Sequence, residues 1–426
     1  MTRRDRDRRP GPVLIAPLRE FLHTESAGGV VLVVAALVAL VWANSPWSDA
    51  YQDLWHTELA ISLGERTLDL DLREWVNDGL MAIFFFVVGL EIKRELVEGE
   101  LRGIRRAALP ALAAIGGMAA PALIYVAVNA GGVGARGWGI PMATDIAMAV
   151  GIVALLGSRV HPSLKLFLLA LAIVDDIGAI TVIAIFYSGH IDAGSLLIAV
   201  GLVLVLVLVR LVGVRSTLIP LALGVGLWLA LEESGVHATI AGVVLGLLAP
   251  TRPHIQRELV DVDVLTDISS ARAARETASL ARQSVSVVEW LEHVLHPWTS
   301  FVIVPLFALA NAGITLSATA VSDAATSRVA IGVLLGLVVG KLVGISALTW
   351  MAVRLNIGVL PEGATGRSIA GIAAVAGIGF TVSIFVTDLA FDDPAIQNEA
   401  KVAILAAAVV AGGIGALILS RASSDP

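Results

Sequence analysis

Long apolar runs alternate with short polar connections along the whole chain. The runs fall at about 27–44, 76–92, 107–130, 137–158, 164–187, 194–213, 216–232, 236–250, 298–316, 329–353, 368–391 and 398–420. A helix needs roughly 20 apolar residues to cross a hydrocarbon core about 30 Å thick. The pattern therefore predicts an all-α polytopic membrane protein of about twelve transmembrane helices. Composition agrees: 57% of the 426 residues are hydrophobic and 15% charged, against about 25% charged in soluble domains. The first run starts too far in, and is too long, for a cleaved leader, and reads as a retained first span. One membrane domain is expected over 27–420. It is preceded by a basic tail and amphipathic segment over 1–26 and followed by a short tail over 421–426.

Polar positions orient the spans. With the N-terminus inside, inner segments hold 23 of the 29 Lys and Arg residues and outer loops hold 5. Positive charge is retained on the cytoplasmic side, so both termini are expected there. The remaining cation, Lys341, lies inside the tenth apolar run. In the first outer connection Leu59, Ile61 and Leu63 alternate up to a Gly64-Glu65 turn, and Leu68, Leu70 and Leu72 alternate after it. That spacing predicts an external β-hairpin over 57–72. The inner stretch 251–290 is polar and reads as a long loop, with a short helix over 271–284. No cysteine is present, which excludes disulfides, thiol nucleophiles and thiolate metal sites. Neither a cofactor nor a nucleic-acid partner is expected.

Two runs are interrupted: the fourth at Gly139 and Pro141, the eleventh at Gly377 and Gly379. Paired interruptions in corresponding positions of two halves point to a binding site at the bilayer midplane. Runs three to five and ten to twelve would form two units of inverted topology, because an offset of seven segments reverses direction.

A carboxylate at the bilayer centre costs about 2.5–3.5 kcal/mol on insertion scales, so it survives mainly where it lines a cavity or meets a cation. Asp145 lies about 14 residues before the inner loop near Arg159, and Asp175 and Asp176 about 13 residues after that loop. Lys341 lies about 13 residues before the inner loop near Arg354. At 1.5 Å per residue all four converge roughly 20 Å from the inner surface. Neighbouring helix positions point about 100° apart, so Asp175 and Asp176 cannot share contacts. One faces an ion path; the other faces a partner such as Lys341. Carboxylates, Thr144 and freed carbonyls are the oxygen ligands that a hard cation such as Na⁺ takes. Protons and cation would compete for the same oxygens, which suffices for exchange if the site faces one side at a time.

Other readings of these residues stay open. A structural pair satisfied by helix ends is the bland account of Asp175-Asp176, and its insertion cost argues against it. Asp145 either joins the site or compensates the N–H groups of a broken helix, and the two are compatible. Lys341 is either a pure counter-ion or a participant. An intramembrane aspartyl protease would also need two buried acids, but its GxGD motif is missing and it needs no midplane lysine. A channel could use carboxylates as a selectivity ring.

The chain also resembles the NhaA-type Na⁺/H⁺ antiporter family. The motifs are GLEIKREL (89–96), ATDIAMAVG (143–151), ALAIVDDIGAI (170–180), SGVHATIAG (234–242), LEHVLHPW (291–298), PLFALANAG (305–313), GKLVGIS (340–346) and GIGFTVSIF (377–385). They occur in order and span roughly 15–420. The resemblance implies discontinuous fourth and eleventh helices crossing at the midplane, with Pro141, Gly377, Gly379 and Thr381 at the breaks. It implies Asp176 and Asp175 as Na⁺ and H⁺ carriers, Thr144 and Asp145 beside them, and Lys341 pairing with Asp175 or balancing a helix end. It further implies electrogenic export of Na⁺ or Li⁺ against a larger number of entering protons across a bacterial inner membrane. The partners so implied are those ions, the lipid bilayer and a second copy of the chain, joined through the hairpin. The family's response to pH would fall on Glu91, Lys93, Arg94 and Glu95, on Glu292, His293 and His296, and on His237. Without the resemblance these charges read as solvated helix ends, and Asp78 as a vestibule charge. The arginine-rich tail and the lengthened inner loop depart from the family's pattern and bear on regulation rather than transport chemistry.

Overall fold

The computed structural model describes residues 15–63, 66–189, 191–213, 218–251 and 285–422. The Gly64-Glu65 turn, the expected helix over 271–284, most of the long inner loop and the outermost tails lie outside the described residues. Helix α1 spans Ile15–Ala43 and begins twelve residues before the first apolar run, so part of the amphipathic segment is helical. The short helix α2, Ser48–Trp55, follows. Its buried Tyr51 donates a hydrogen bond to the Leu309 carbonyl (2.8 Å), seating it on the bundle.

The expected hairpin is present. Strands β1 (Glu58–Leu63) and β2 (Arg66–Asp71) pair antiparallel, with Leu59 opposite Leu70 and Ile61 opposite Leu68. Alternate residues share one face of a strand, so the leucine and isoleucine spacing sets this register. Asp71 then caps the next helical turn in a capping box with Glu74, and Trp75 Nε1 donates to the Leu59 carbonyl (2.9 Å). The hairpin is thereby tied to the helix it precedes. A π-helical turn, Trp75–Leu80, leads into α3, Met81–Val97.

Helix α4 covers Ile104–Asn129. The fourth apolar run is a 3-10 helix, Val133–Met142, followed by α5, Ile146–Leu155, the two bent by 45°. Helix α6, Pro162–Phe186, starts with proline at its first position, where the missing N–H has no partner to lose. Then come α7 (Ala193–Val212), α8 (Leu218–Ser234) and α9 (Ile240–Leu248). Helix α10, Val287–Trp298, is capped by Ser286 and continues through a π-helical turn, Thr299–Ile303, into α11, Val304–Asn311. Helix α12 covers Ala318–Thr326. The tenth run is α13 (Arg328–Leu335), a π-helical turn (Gly336–Gly340) and α14 (Lys341–Arg354). The eleventh is α15 (Gly366–Val375) and α16 (Phe380–Ala390), bent by 48°, and α17 closes the chain at Pro394–Ala422.

Every apolar run thus coincides with helix. Among the described residues seven helices are long and apolar enough to cross a membrane, or nine if each bent pair is one span. The helices α3, α8 and α9 fall short of that length. The multi-pass character is clear from the surface as well. Leu197, Ile198, Leu204, Leu208 and Leu211 are exposed along α7, an outward apolar face that suits lipid rather than water.

The two units expected from the breaks share one pattern: a long helix, a broken pair, a long helix. They pack through α4 and α14, which touch at Gly116 and Gly344. A Cβ on either would stand 2.0–2.1 Å from the other's carbonyl oxygen. Close approach here brings the first turn of α14, with Lys341, against the interior.

Candidate functional site

The two breaks touch. The Asp145 N–H donates to the Ile378 carbonyl at 2.6 Å. From that contact the Asp145 carboxylate reaches both following half-helices. Its Oδ1 accepts from the Met148 N–H (3.0 Å) as the N-cap of α5. Its Oδ2 accepts from the N–H (3.0 Å) and the hydroxyl (2.7 Å) of Thr381, in the first turn of α16. A helix N-terminus carries about half an elementary positive charge, so one carboxylate balances two of them.

The opposite charge sits at the opposite kind of helix end. Thr144 Oγ1 lies 2.9 Å from the Ala376 carbonyl, which closes α15 at its negative C-terminus. The same hydroxyl accepts from Lys341 Nζ (3.0 Å) and lies 2.8 Å from Asp175 Oδ2. Lys341 Nζ donates to Asp175 Oδ2 at 2.5 Å, and both side chains are fully buried. Lys341 follows directly on the Gly336–Gly340 π-helical turn, an irregularity frequent at functional sites. Asp175 Oδ1 is buried and has no hydrogen-bond partner among the described residues.

Asp176 faces elsewhere. Its side chain lines a cavity of about 60 Å³ together with Thr144, Asp145 and Thr381, room for a few waters. The other walls come from Phe84, Val87 and Val88 of α3, from Thr299 and Ser300, and from Glu91 and His296. No hydrogen bond holds the Asp176 carboxylate among the described residues. One helix therefore presents two unlike acids: Asp175 locked to a lysine, Asp176 open to a cavity.

Of the sequence candidates, Thr144, Asp145, Asp175, Asp176, Lys341 and Thr381 meet here, with Pro141, Gly377 and Gly379 buried in the breaks. A second group forms beside the cavity. Arg94 makes an ion pair with Glu292 and lies 3.9 Å from Glu95, and His296 Nε2 lies 4.0 Å from Glu91 Oε1. Among the described residues Lys93 makes no ion pair, and His293 is exposed. His237 is separate and donates through Nε2 to the Tyr187 carbonyl (2.8 Å).

Thr299 and Ser300 escaped the sequence reading. Their signal is spacing: three and four residues beyond His296 they share its helical face. Lys401, inside the twelfth apolar run, pairs with Asp388 at 2.6 Å, largely buried between α16 and α17. Each lies near a span end, where chain arithmetic cannot tell loop from bundle. A larger cavity, about 650 Å³, lies between α4, α6 and the 356–361 connection, and among the described residues Arg106 is the charged one that lines it. It lies apart from the acids.

The whole assembly can be compared with known proteins. Residues 19–419 match the family described as Na⁺/H⁺ antiporter 1. The relative named Na(+)/H(+) antiporter NhaA 3, from Frankia alni, is 47% identical over 422 residues, covering 96% of this chain and 91% of its own. The chain belongs to the NhaA family of Na⁺/H⁺ antiporters. Two further NhaA relatives bear this out. One, from Sorangium cellulosum, is 47% identical (96% of this chain, 92% of its own), and one, from Oleidesulfovibrio alaskensis, is 45% identical (96% and 95%). As an NhaA family member the chain is a transporter and not an enzyme, which disposes of the protease reading.

Proposed function

We propose that the chain exchanges cytoplasmic Na⁺ or Li⁺ for external H⁺, with Asp176 as the essential cation ligand and Asp175 as its partner. The observation that carries this is the unequal pair of acids on α6, one open on the cavity and one held by Lys341. A cation reaching the cavity from the Glu91 and His296 end meets the Asp176 carboxylate first. Asp175 then supplies its Oδ1, and Lys341 gives up its proton to the cytoplasmic side and withdraws as the cation takes over the neutralising role. Asp145 stays bound to its two helix ends and keeps the floor of the site in place. After the site turns to the other side, one proton displaces the cation from Asp176 and a second restores the Lys341 ammonium, which returns to Asp175. More than one proton per cation makes the cycle electrogenic, each net charge being worth about 2.3 kcal/mol per 100 mV.

The same reading includes twelve spans crossing a bacterial inner membrane with both termini inside, and the two broken helices crossing at the midplane. It includes a homodimer in which the two-stranded hairpin adds strands to a second copy. It also includes pH control through the Arg94, Glu292, Glu91 and His296 group, histidine being the side chain that titrates near neutrality. In the cell the exchange would serve sodium and pH homeostasis. The test uses everted vesicles carrying a preformed pH gradient. Added Na⁺ or Li⁺ collapses the gradient and K⁺ does not; equal responses to all three, or no response, would sink the proposal.

A further inference from the structure

The outer half of the fourth span, Val133–Met142, is 3-10 helix for ten residues, whereas runs beyond three or four are uncommon and mark hinges or strain. Three hydroxyl groups grip it. Tyr125 donates to the Gly134 carbonyl (2.7 Å) and Ser383 to the Ile140 carbonyl (2.8 Å). Tyr187 does something different: its hydroxyl donates to the Arg136 carbonyl (2.8 Å) and accepts from the Gly139 N–H (2.9 Å). Residues 136 and 139 are three apart, the donor and acceptor that close a single 3-10 turn. The tyrosine hydroxyl is thus a link inserted into one rung of the hinge itself.

Tyr187 is buried and closes α6, the helix of Asp175 and Asp176, at the end facing away from Glu91 and His296. Gly139 fits against its ring because a Cβ there would lie 2.7 Å from the hydroxyl oxygen. Trp138 packs edge-on to Phe186 (5.1 Å between ring centres), and His237 holds the Tyr187 carbonyl from the α8–α9 connection. The carrier helix and the outer half-helix are therefore fastened at one point beyond the acids.

We infer that the Tyr187 hydroxyl is a releasable bolt of the outer barrier, a positioning residue that favours the state in which the cavity meets Glu91 and His296. The inference rests on the exchange reading. Opening the outer side requires Val133–Met142 to part from α6. On leaving, the hydroxyl frees a carbonyl and an N–H that can pair with each other, so neither is orphaned. An element with two such satisfied arrangements can switch between them.

The chain has no cysteine, so one introduced thiol reports cleanly. Ile140→Cys places it in the buried outer half-helix, and Met142→Cys replaces it if the first does not reach the membrane. The Tyr187→Phe variant is compared with its parent in intact cells, without sodium, using a charged, membrane-impermeant thiol reagent added outside. Labelling is expected to rise about five-fold, the factor that one or two ordinary hydrogen bonds support. In everted vesicles the KM for Na⁺ rises by less than about two-fold, with Vmax nearly kept, because the inward-open state gives up only a minor share of the population. Labelling at the parent's rate overturns the bolt, as does a fall in Vmax with KM unchanged, the mark of mere structural damage. A parent without Na⁺-driven exchange fails the transport reading instead, whatever the labelling shows.

Discussion

Asp145 and Asp176 lie at the same depth by chain arithmetic, yet one stands at the crossing of two interrupted backbones and the other on an unbroken helix. Asp145 is surrounded by donors: the Met148 N–H, the Thr381 N–H and the Thr381 hydroxyl. Asp176 has none among the described residues and looks onto a cavity. Interrupting a helix creates two ends with partial charges, and an acid placed there is absorbed in balancing them. An intact helix satisfies its own backbone and leaves an acid's oxygens to a visitor. On the proposed function, the difference separates a carboxylate that builds the site from one that binds the ion.

The most severe way to break this comparison is Asp176→Asn. It removes charge without removing any hydrogen bond, so exchange should be abolished while thermal unfolding in detergent stays near the parent's. Retained exchange would take Asp176 out of the site. Next in size is Lys341→Ala, which leaves Asp175 as a buried charge without its counter-ion and should cost about 3–5 kcal/mol. The double variant Asp175→Asn/Lys341→Gln removes both charges and should recover most of that stability. If unfolding curves show the single and double variants alike, the pair is not the source of the loss.

Asp145→Ala comes third. Losing charged hydrogen bonds at two helix ends should cost about 2–3 kcal/mol and slow exchange through distortion. The Asp145→Asn variant, which keeps an acceptor oxygen, should lie between. A full loss of exchange at unchanged stability would instead make Asp145 a cation ligand. The smallest effect is expected for Thr381→Val, about 1 kcal/mol for one hydroxyl, read in the same unfolding experiment. An effect as large as that of Asp145→Ala would mean that Thr381 itself touches the ion.

Much of this architecture is legible in the chain. Hydropathy marks the helices because lipid tolerates only backbones that satisfy themselves, and each apolar run is helical in the structure. Alternating leucines mark the hairpin and its register. Gly139, Pro141, Gly377 and Gly379 mark the breaks, whereas Gly151 and Gly371 in the same runs lie inside unbroken helix. The π-helical turns before α3, α11 and α14 leave no such trace, because one extra residue in a turn does not disturb an apolar pattern. The Lys401–Asp388 pair leaves no trace for a related reason: hydropathy gives depth but not which side of a helix meets the bundle.

The sequence by itself determined that four charged side chains converge at one depth and that Asp175 and Asp176 point in different directions, because helical rise and rotation are fixed per residue. It left open which acid meets Lys341, whether Asp145 serves backbone or ion, and which polar groups join the cavity to Glu91 and His296. Those answers depend on how α4, α14 and the two broken spans pack. Only the tertiary structure decides them, because a hydrogen bond holds within a few tenths of an ångström, far finer than the distances that depth arithmetic can resolve.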